Sequence, residues 1–452
     1  MNSRTKVNQL VRYVSLFALL ASAALGCSSD SGVLTRPVER EGVTLRIASY
    51  LASPDEQAAL QEVIDAHHAV HPDVRIDLKP LMLSPPQTIA QLTGAAPIEG
   101  GWDLAVHTLT SVPGVKEVSL DLNTIPALAP LKANYHPAVT AAMEATGIWA
   151  GMPLGIAGFN IAISNRDALN RLGVSAPPAS LDQLLNLCSR YVELGKGAEL
   201  PVPIGEASDE FGPLVVMAAF LPGDATFGSS ASEAQLVQEW RTSVGALKTF
   251  ADDGCVYLVD DENANGSHHD ENFDRTITGK NALGVGPVWG LGYFIAQGQL
   301  ERGQFGFGSL IGEEAGFIYT VEMVTANEDT PNPQAVSDFL EVAGNPAVQV
   351  DYLRARGGTP ATIFGNPSEM ADPDLELAYA AFQSADAQGR AGAFPGFMLD
   401  LPKAVGPLRA LITGQGSRDE VVETYLCTMT RHPAFAHYAS DQACIDAIRA
   451  IP

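Results

Sequence analysis

The sequence predicts an α/β protein whose body is divided into two domains. The chain has 452 residues, and about 410 of them follow an N-terminal leader and a polar segment, which is more than one ordinary hydrophobic core holds. After Val43, short apolar runs alternate with a helical pattern. Strands that alternate with crossover helices form mainly parallel sheets, and this order therefore predicts the α/β class.

The opening elements follow one another along the chain. Residues 43–49 alternate and then become apolar, as a strand does. Pro54 begins a helix, because proline suits the first helical turn, and Pro72 ends it. Residues 74–78 form the next predicted strand and residues 103–106 a third short one. This part of the chain therefore predicts a parallel sheet with a crossover helix.

The same two patterns continue beyond Trp149 without an internal repeat. Helices are predicted where apolar residues recur at three- and four-residue spacing, and strands where short apolar runs are bounded by polar residues. The predicted strands cover residues 159–164, 283–285 and 305–307, and the predicted helices cover residues 180–193, 236–251, 333–342, 346–354 and 415–429.

Residues 1–26 predict a signal peptide. They begin with basic residues and no acidic one, and continue with an apolar run at residues 14–26 that ends in small residues. The run is shorter than the roughly 20 residues that cross a bilayer. We therefore expect export rather than a membrane-spanning helix.

Cys27 follows the leader directly in the order Ala-Leu-Gly-Cys, which resembles a bacterial lipobox. Lipidation of Cys27 would make lipid the only membrane anchor, and residues 27–42, rich in serine, glycine and proline, would form a flexible tether. The protein is then expected on the cell envelope, facing the periplasm or the cell surface. An ordinary signal peptide with an incidental cysteine is the alternative.

The net charge of −25 is spread along the chain. A nucleic-acid-binding protein needs a basic face, and none is visible. The acidic balance serves solubility, with a polycationic ligand as a weaker alternative.

Four cysteines remain if Cys27 carries lipid. An even number in an exported protein predicts disulfides. We favour Cys427–Cys444, which are close in sequence, and Cys188–Cys255, which would close a long loop. Four buried thiols are the alternative, and no cysteine or histidine spacing indicates zinc.

The order of local signatures resembles family 1 of the extracellular solute-binding proteins, which includes the maltodextrin-binding proteins. The resemblance runs from Val43 to Tyr425. It is carried by LRIASY with the helix and strand after it, by GGWDLAVHT, by GIWAGMPLGIAGFNIAISN, by FDRTITGKNALGVGPVW, and by the late segments NPQAVSDFLEVAGNP, GGTPA and LITGQGSRDEVVETY.

The resemblance implies a two-lobed periplasmic-binding-protein fold of type II, with mixed sheets flanked by helices. Crossing strands near 155–158 and 318–324 would form a hinge, and the lobes would close around a ligand held between them. The expected N-terminal lobe is residues 43–156 plus 322–368. The expected C-terminal lobe is residues 157–317 plus 369–452.

The resemblance also implies candidate ligand contacts from several loops. Trp289 lies at the family's Gly-x-Trp position in the cleft, and Glu210 and Phe211 lie where relatives carry Glu-x-Tyr. His107 and Thr110 stand where maltodextrin binders have tryptophan and aspartate. The alternatives are core packing for the tryptophan and a solvated loop for the histidine.

Three further candidates lie near the crossing strands. Tyr50 closes the first strand, and Trp149 supplies an aromatic ring near the crossover, with core packing as its alternative. Aromatic faces and hydroxyl partners of this kind suit sugars. Glu322 lies on the proposed return strand, where a carboxylate is costly unless it is paired, so it either contacts ligand or forms an ion pair at the hinge.

No cofactor, metal or catalytic site is expected. Residues 261–272 depart from a calcium loop at positions 8 and 12, and His67 and His71 lie where the family has only a helix end. Nucleophile-elbow, phosphate-loop and zinc-protease motifs are missing from the sequence.

The sequence therefore predicts a monomeric substrate-binding lipoprotein of an ABC importer. It would capture a mono- or oligosaccharide and present it to the permease subunits, and it would not bind nucleic acid. The alternatives are a sensory protein that presents its ligand to a receptor, or an enzyme on the same two-lobed architecture.

Overall fold

The computed structural model describes residues 42–51, 54–81, 85–96, 98–158, 161–197, 199–206, 232–258, 268–286, 304–309, 317–364, 373–393, 406–428, 433–435 and 437–452. The predicted signal peptide, Cys27 and all of the tether except Gly42 lie outside these residues. Within the described part of the chain, none of the helices combines the length and the apolar character that a membrane span requires.

The first sheet has six strands in the order β11–β10–β3–β1–β2, with β4 paired to β10. β1, β2 and β3 are parallel, as the opening pattern predicts, and β10 runs antiparallel to β3 and to β4. The sheet is therefore mixed. Its strands are β1 (Thr44–Ser49), β2 (Arg75–Pro80), β3 (Leu104–Thr108), β4 (Gly151–Gly158), β10 (Phe317–Ala326) and β11 (Ala391–Ala393).

Helices cover this sheet and bury its apolar side chains in one large core and a smaller cluster around Trp102. The sequence starts them with proline at the first helical residue, where no intrahelical N–H is needed. They are α1 (Pro54–Val70), α2 (Pro85–Leu92), α3 (Pro137–Glu144), α8 (Pro333–Ala343), α9 (Pro346–Arg356) and α10 (Pro373–Ala387), with a single turn at Val112–Val115.

The second sheet has five strands in the order β7–β6–β8–β5–β9. β6 is parallel to β7 and β8, whereas β5 is antiparallel to β8 and β9. The strands are β5 (Ile161–Asn165), β6 (Val202–Glu206), β7 (Val256–Leu258), β8 (Asn281–Gly286) and β9 (Phe305–Ser309). The prediction of an α/β fold with mixed sheets is confirmed.

A second core joins this sheet to its own helices. Serine or asparagine caps several of them, the side chain accepting from a backbone N–H of the first turn. They are α4 (Arg166–Arg171), α5 (Leu181–Glu193), α6 (Glu233–Asp252), α7 (His268–Ile277), α11 (Arg418–Glu423) and α12 (Asp441–Ala450), with a π-helical turn at Thr424–Thr428.

The structure contains both of the favoured disulfides. Cys188 bonds Cys255 and Cys427 bonds Cys444. All four cysteines are buried in the second core. The pairing predicted from an even cysteine count is confirmed, and the alternative of four buried thiols is not what the structure shows.

Residues Gly42–Pro452 form one compact unit, and its described residues form two large cores and a smaller apolar cluster around Trp102. The boundary between the two large cores differs from the expected one in one segment. The C-terminal lobe was expected to include residues 369–452. Tyr379 and Phe382 of α10 instead pack in the first core. The physical reason is that β11, which follows α10, pairs in parallel with β10 of the first sheet, although α10 also contacts β9 of the second sheet.

Candidate functional site

The carboxyl ends of three parallel strands meet at one edge of the first sheet. β1 ends at Ser49, followed by Tyr50, and β3 ends at Thr108. In open α/β sheets, ligands bind outside this edge. A ligand-binding site is therefore expected at this edge of the first sheet.

The crossing strands leave the first sheet at the same edge. Glu322 of β10 pairs with Thr108, the last residue of β3, so the part of β10 that precedes Glu322 extends past it. β4 accompanies β10 as far as the Gly158–Tyr319 pair. The chain then reaches β5 of the second sheet across residues 159–160. The second sheet is thus connected on the side of the carboxyl edge.

A buried carboxylate lies where β10 passes this edge. Glu322 is 3% exposed and accepts hydrogen bonds from the hydroxyl of Tyr50, from the hydroxyl of Tyr352 at 3.0 Å and from Nη2 of Arg356 at 2.9 Å. Nη2 of Arg356 also lies 3.2 Å from Oε1 of Glu56 in the first turn of α1. We call Tyr50, Glu322, Tyr352 and Arg356 the Glu322 cluster.

The close approach of α9 depends on two glycines. A Cβ on Gly155 of β4 would lie 2.5 Å from Cδ2 of Leu353, and one on Gly358 would lie 2.9 Å from the same atom. Leu353 therefore occupies the space that side chains would take. This lets α9 bring Tyr352 and Arg356, one helical turn apart, down onto β10.

Burial and charge fix the protonation states within the Glu322 cluster. Burial, followed by the charge of Glu322, raises the pKa of Tyr50 and of Tyr352 well above the ordinary tyrosine value. Burial, the largest single cause, acts to lower the pKa of Arg356, but the interactions with Glu322 and its other neighbours together outweigh it and the pKa is raised. Both phenols therefore remain neutral donors and the guanidinium stays charged.

Hydroxyl groups and a neutral imidazole lie at the carboxyl edge beside the Glu322 cluster. Nδ1 of His107 lies 2.9 Å from the carbonyl oxygen of Thr108, so Nδ1 donates and Nε2 is an acceptor. Burial lowers the pKa of His107 to about 4. Nε2 is buried and has no hydrogen-bond partner among the described residues. The hydroxyls of Thr108 and Thr110 lie 2.6 Å apart.

A family model described as bacterial extracellular solute-binding protein matches residues 38–363. This range includes both crossing strands, the carboxyl edge and all of the Glu322 cluster. The chain belongs to this family of bacterial extracellular solute-binding proteins. Its two sheets and the strands that cross between them are the architecture that the sequence resemblance implies, so the family assignment made from the sequence is confirmed.

Solved structures of sugar-binding proteins share the fold of this solute-binding protein at low identity. The cyclic α-maltosyl-1,6-maltose binding protein of Arthrobacter globiformis has a TM-score of 0.65 at 16% identity, with 90% of this chain and 99% of that chain covered. The GacH receptor of Streptomyces glaucescens, solved unliganded and with acarbose, has a TM-score of 0.66 at 15% identity, with coverage of 91% and 99%.

MalE of Xanthomonas citri, a sugar-binding protein, has a TM-score of 0.64 at 16% identity, with coverage of 90% and 98%. At these identities the likeness shows the fold, which extends over almost the whole of each relative. No curated protein sequence gives a significant match.

The predicted site residues of this solute-binding protein fall into three groups. Tyr50, His107, Thr110 and Glu322 lie together at or beside the carboxyl edge of the first sheet. Trp289, Glu210 and Phe211 lie outside the described residues, so their roles stay predictions. Trp149 is placed in the first core.

The environment of Trp149 is that of a packed side chain. It is 4% exposed, its ring centroid lies 5.9 Å from that of Tyr135, and the ammonium group of Lys132 lies 5.1 Å from the ring. This is the core-packing alternative raised from the sequence. Glu322 likewise adopts the ion pair at the crossing strand that was one of its two expected roles.

Two members of the Glu322 cluster were missed from the sequence. Tyr352 and Arg356 lie at i and i+4 on a helix ahead of two glycines, a spacing that is more often a solvated face. The available signal was Glu322, because a carboxylate within an apolar strand requires a cationic partner.

Two histidines lie at the C-terminal end of α1, one of them just past it. His67 and His71 stack with ring centroids 5.0 Å apart, and Nδ1 of His71 lies 3.8 Å from Asp338. Among the described residues, no group of three or more histidine, cysteine, aspartate or glutamate side chains has a geometry that could hold a metal ion.

Proposed function

We propose that this protein is the substrate-binding component of an ABC importer and that it captures a carbohydrate between its two halves. The observation that carries the proposal is the set of groups at the carboxyl edge. The backbone N–H of the partly exposed Tyr50 donates to the carbonyl of Val106 on β3 at 3.3 Å, and the neutral ring of His107 and the hydroxyls of Thr108 and Thr110 follow Val106 along the chain. An aromatic face with neutral donors and acceptors suits a polyhydroxylated ring.

The crossing strands support capture by closure. β4 and β10 leave the first sheet beside these groups, so rotation about them would bring the second half over the same edge. The relatives of known structure include proteins that bind cyclic maltosyl-maltose, acarbose and maltose. Trp289, Glu210 and Phe211 would complete the ligand contacts from the second half.

The part of the edge beside the Glu322 cluster favours an uncharged ligand. The only cation of the Glu322 cluster is Arg356, which is already held by Glu322 and Glu56. A phosphorylated or carboxylated solute would therefore find no available cation in the cluster. A sugar or polyol without charge is the ligand that this chemistry accepts.

The lipid anchor belongs to the same proposal. Export through residues 1–26 and lipidation at Cys27 would hold the receptor near the permease subunits in the membrane. We expect palmitate label on the wild-type protein expressed in a bacterium, and none on a Cys27→Ser variant, which would be released from the membrane fraction. Label on the variant would contradict the assignment.

The function is tested by ligand capture. Protein that begins after Cys27 would be refolded to remove bound ligand and screened by thermal unfolding against neutral sugars, polyols, sugar phosphates and amines. We expect an increase in Tm with at least one neutral sugar, because a ligand that binds only the folded state stabilises it. An increase confined to amines or phosphates, or none at all, would contradict the proposal.

Size-exclusion chromatography with light scattering would test whether this receptor is a monomer. Incubation with the sugar, followed by mass spectrometry, should return the sugar unchanged. Chemical conversion of the sugar would instead indicate that the protein is an enzyme.

A further inference from the structure

The Glu322 cluster buries a charged pair away from solvent. Glu322 and Arg356 have side chains that are 5% and 6% exposed, and removing both charges from water costs energy that their attraction only partly returns. Apolar residues of similar volume often stabilise a core as well or better. A cluster of this kind is therefore better explained by what it holds in place.

The cluster joins separate elements at a single carboxylate. Tyr50 follows β1, Tyr352 and Arg356 belong to α9, and Glu322 belongs to the crossing strand β10. Two donors share Oε1 and the third bonds Oε2. Both carboxylate oxygens are thus engaged, and Glu322 has little freedom to reorient.

Tyr50 is the member of the cluster that reaches the surface. Glu322, Tyr352 and Arg356 are buried, whereas Tyr50 is partly exposed. Its hydroxyl is held by the buried carboxylate, and its side chain packs against the first core and against the smaller apolar cluster beside it. The cluster therefore anchors one end of a tyrosine at the edge where ligand is expected.

We propose that Glu322, Tyr352 and Arg356 are positioning residues that hold the ring of Tyr50 as a fixed face for the ligand. This inference rests on the proposed function. A ring anchored before binding loses less side-chain entropy when ligand arrives, so affinity increases without a new contact. Because Glu322 lies on β10, the same hydrogen bonds connect the ligand face to a crossing strand.

The test is a double-mutant cycle on binding. The variants are Tyr50→Phe, which keeps the ring and loses the anchor, Glu322→Gln, and the double variant. The probes are maltose, maltotriose and trehalose, measured by isothermal titration on protein that begins after Cys27. We expect Tyr50→Phe to weaken binding about tenfold and Glu322→Gln, whose amide oxygen can still accept a hydrogen bond, to weaken it less. The double variant should weaken binding no more than Tyr50→Phe alone, because both substitutions act on the same hydrogen bond.

Tyr135→Phe is the matched control. It deletes a buried tyrosine hydroxyl from the same core, where that hydroxyl accepts from Nε2 of Gln349 at 3.0 Å, and it leaves the Glu322 cluster intact. We expect a lower Tm and an unchanged Kd. A purely structural role for the cluster would give Tyr50→Phe the same outcome as this control.

The binding results distinguish the carbohydrate assignment from the positioning role of the Glu322 cluster. If wild-type protein binds none of the three sugars, the carbohydrate assignment fails and the positioning role fails with it. If wild-type protein binds while Tyr50→Phe keeps the wild-type Kd, the positioning role alone is overturned. Should Glu322→Gln not fold, Tyr352→Phe takes its place in the cycle, since it removes one donor from Glu322 and keeps both charges.

Discussion

Arg356 and Glu322 form an ion pair in which Nη2 donates to Oε1 at 2.9 Å, away from solvent. The pair joins the last turn of α9 to the crossing strand β10. Removing one partner of a buried pair leaves the other charge uncompensated, which typically costs about 3–5 kcal/mol. The pair therefore connects α9 to β10, and the loss of either charge should destabilise the protein.

We predict that Arg356→Met lowers the free energy of unfolding by about 3 kcal/mol, because Glu322 then keeps only its two tyrosine donors. Urea denaturation followed by circular dichroism measures the change. Arg354→Ala on the same helix is the control: its exposed pair with Asp351 is worth roughly 0.5 kcal/mol. Equal losses in the two variants would show that the buried pair does not behave as described.

Gly155→Ala tests the close packing of α9 on β4. The new Cβ would lie 2.5 Å from Cδ2 of Leu353, and overpacking of this kind costs about 1–3 kcal/mol. Gly308→Ala in β9 is the control, since no atom of the described residues lies within 4 Å of the position of its Cβ. Combining Gly155→Ala with Leu353→Ala should give less than the sum of the two losses. Strict additivity would mean that the two positions do not contact.

Acid should destabilise the protein through two buried histidines. Burial is the largest cause that lowers the pKa of His67 and of His107 to about 4, from an ordinary value of 6.5. Because the unfolded chain takes up these protons first, stability is lost as the pH falls from 6.5 towards 4, and neither histidine affects it above that range. Each contributes at most about 1.4 kcal/mol per pH unit.

His67→Leu should remove part of this slope. Both ring nitrogens of His67 are buried without a hydrogen-bond partner among the described residues, so leucine loses no such bond. Urea midpoints measured from pH 7.5 to 4.5 should decline less steeply in the variant than in wild type. Leu60→Ala in the same helix alters the same core without removing a titratable group and should keep the wild-type slope. Identical slopes for His67→Leu and wild type would contradict the prediction.

The two disulfides should differ in their contribution to stability. Cys188–Cys255 spans 67 residues and Cys427–Cys444 spans 17. In the chain-entropy account the longer loop restricts the unfolded chain more, by about 1 kcal/mol. Paired alanine substitutions, compared by urea denaturation, should show the larger loss for the first bridge. A larger loss for the second would show that native packing, not loop length, decides.

Local pattern predicted much of the fold because proline and apolar spacing act over short distances. The first helix begins at Pro54 as expected, and β1 differs from the expected strand by one residue. The last predicted helix, residues 415–429, is instead α11 followed by a π-helical turn, and α12 was not predicted. Boundaries near the chain end depend on packing that no local pattern specifies.

The candidate site was only partly predictable for the same reason. Tyr50 and Glu322 were found separately, from a strand end and from an unusual charge in an apolar strand. Their hydrogen bond joins residues 272 apart in sequence, and the approach of α9 that completes the cluster depends on the missing side chain of Gly155. Trp149 was predicted as a ligand contact but packs in the first core. An aromatic residue near a crossing strand can serve either role, and its position in the sequence does not distinguish them.

The most direct test of the account is the affinity of wild-type and Tyr50→Ala protein for maltose, maltotriose and trehalose, measured by isothermal titration. We predict saturable binding of at least one of these sugars at one site per chain. Loss of the aromatic face in Tyr50→Ala should weaken that binding by about 30-fold, or roughly 2 kcal/mol. No binding by wild type, or equal affinity in the two proteins, would contradict the claim that this edge of the first sheet holds a sugar.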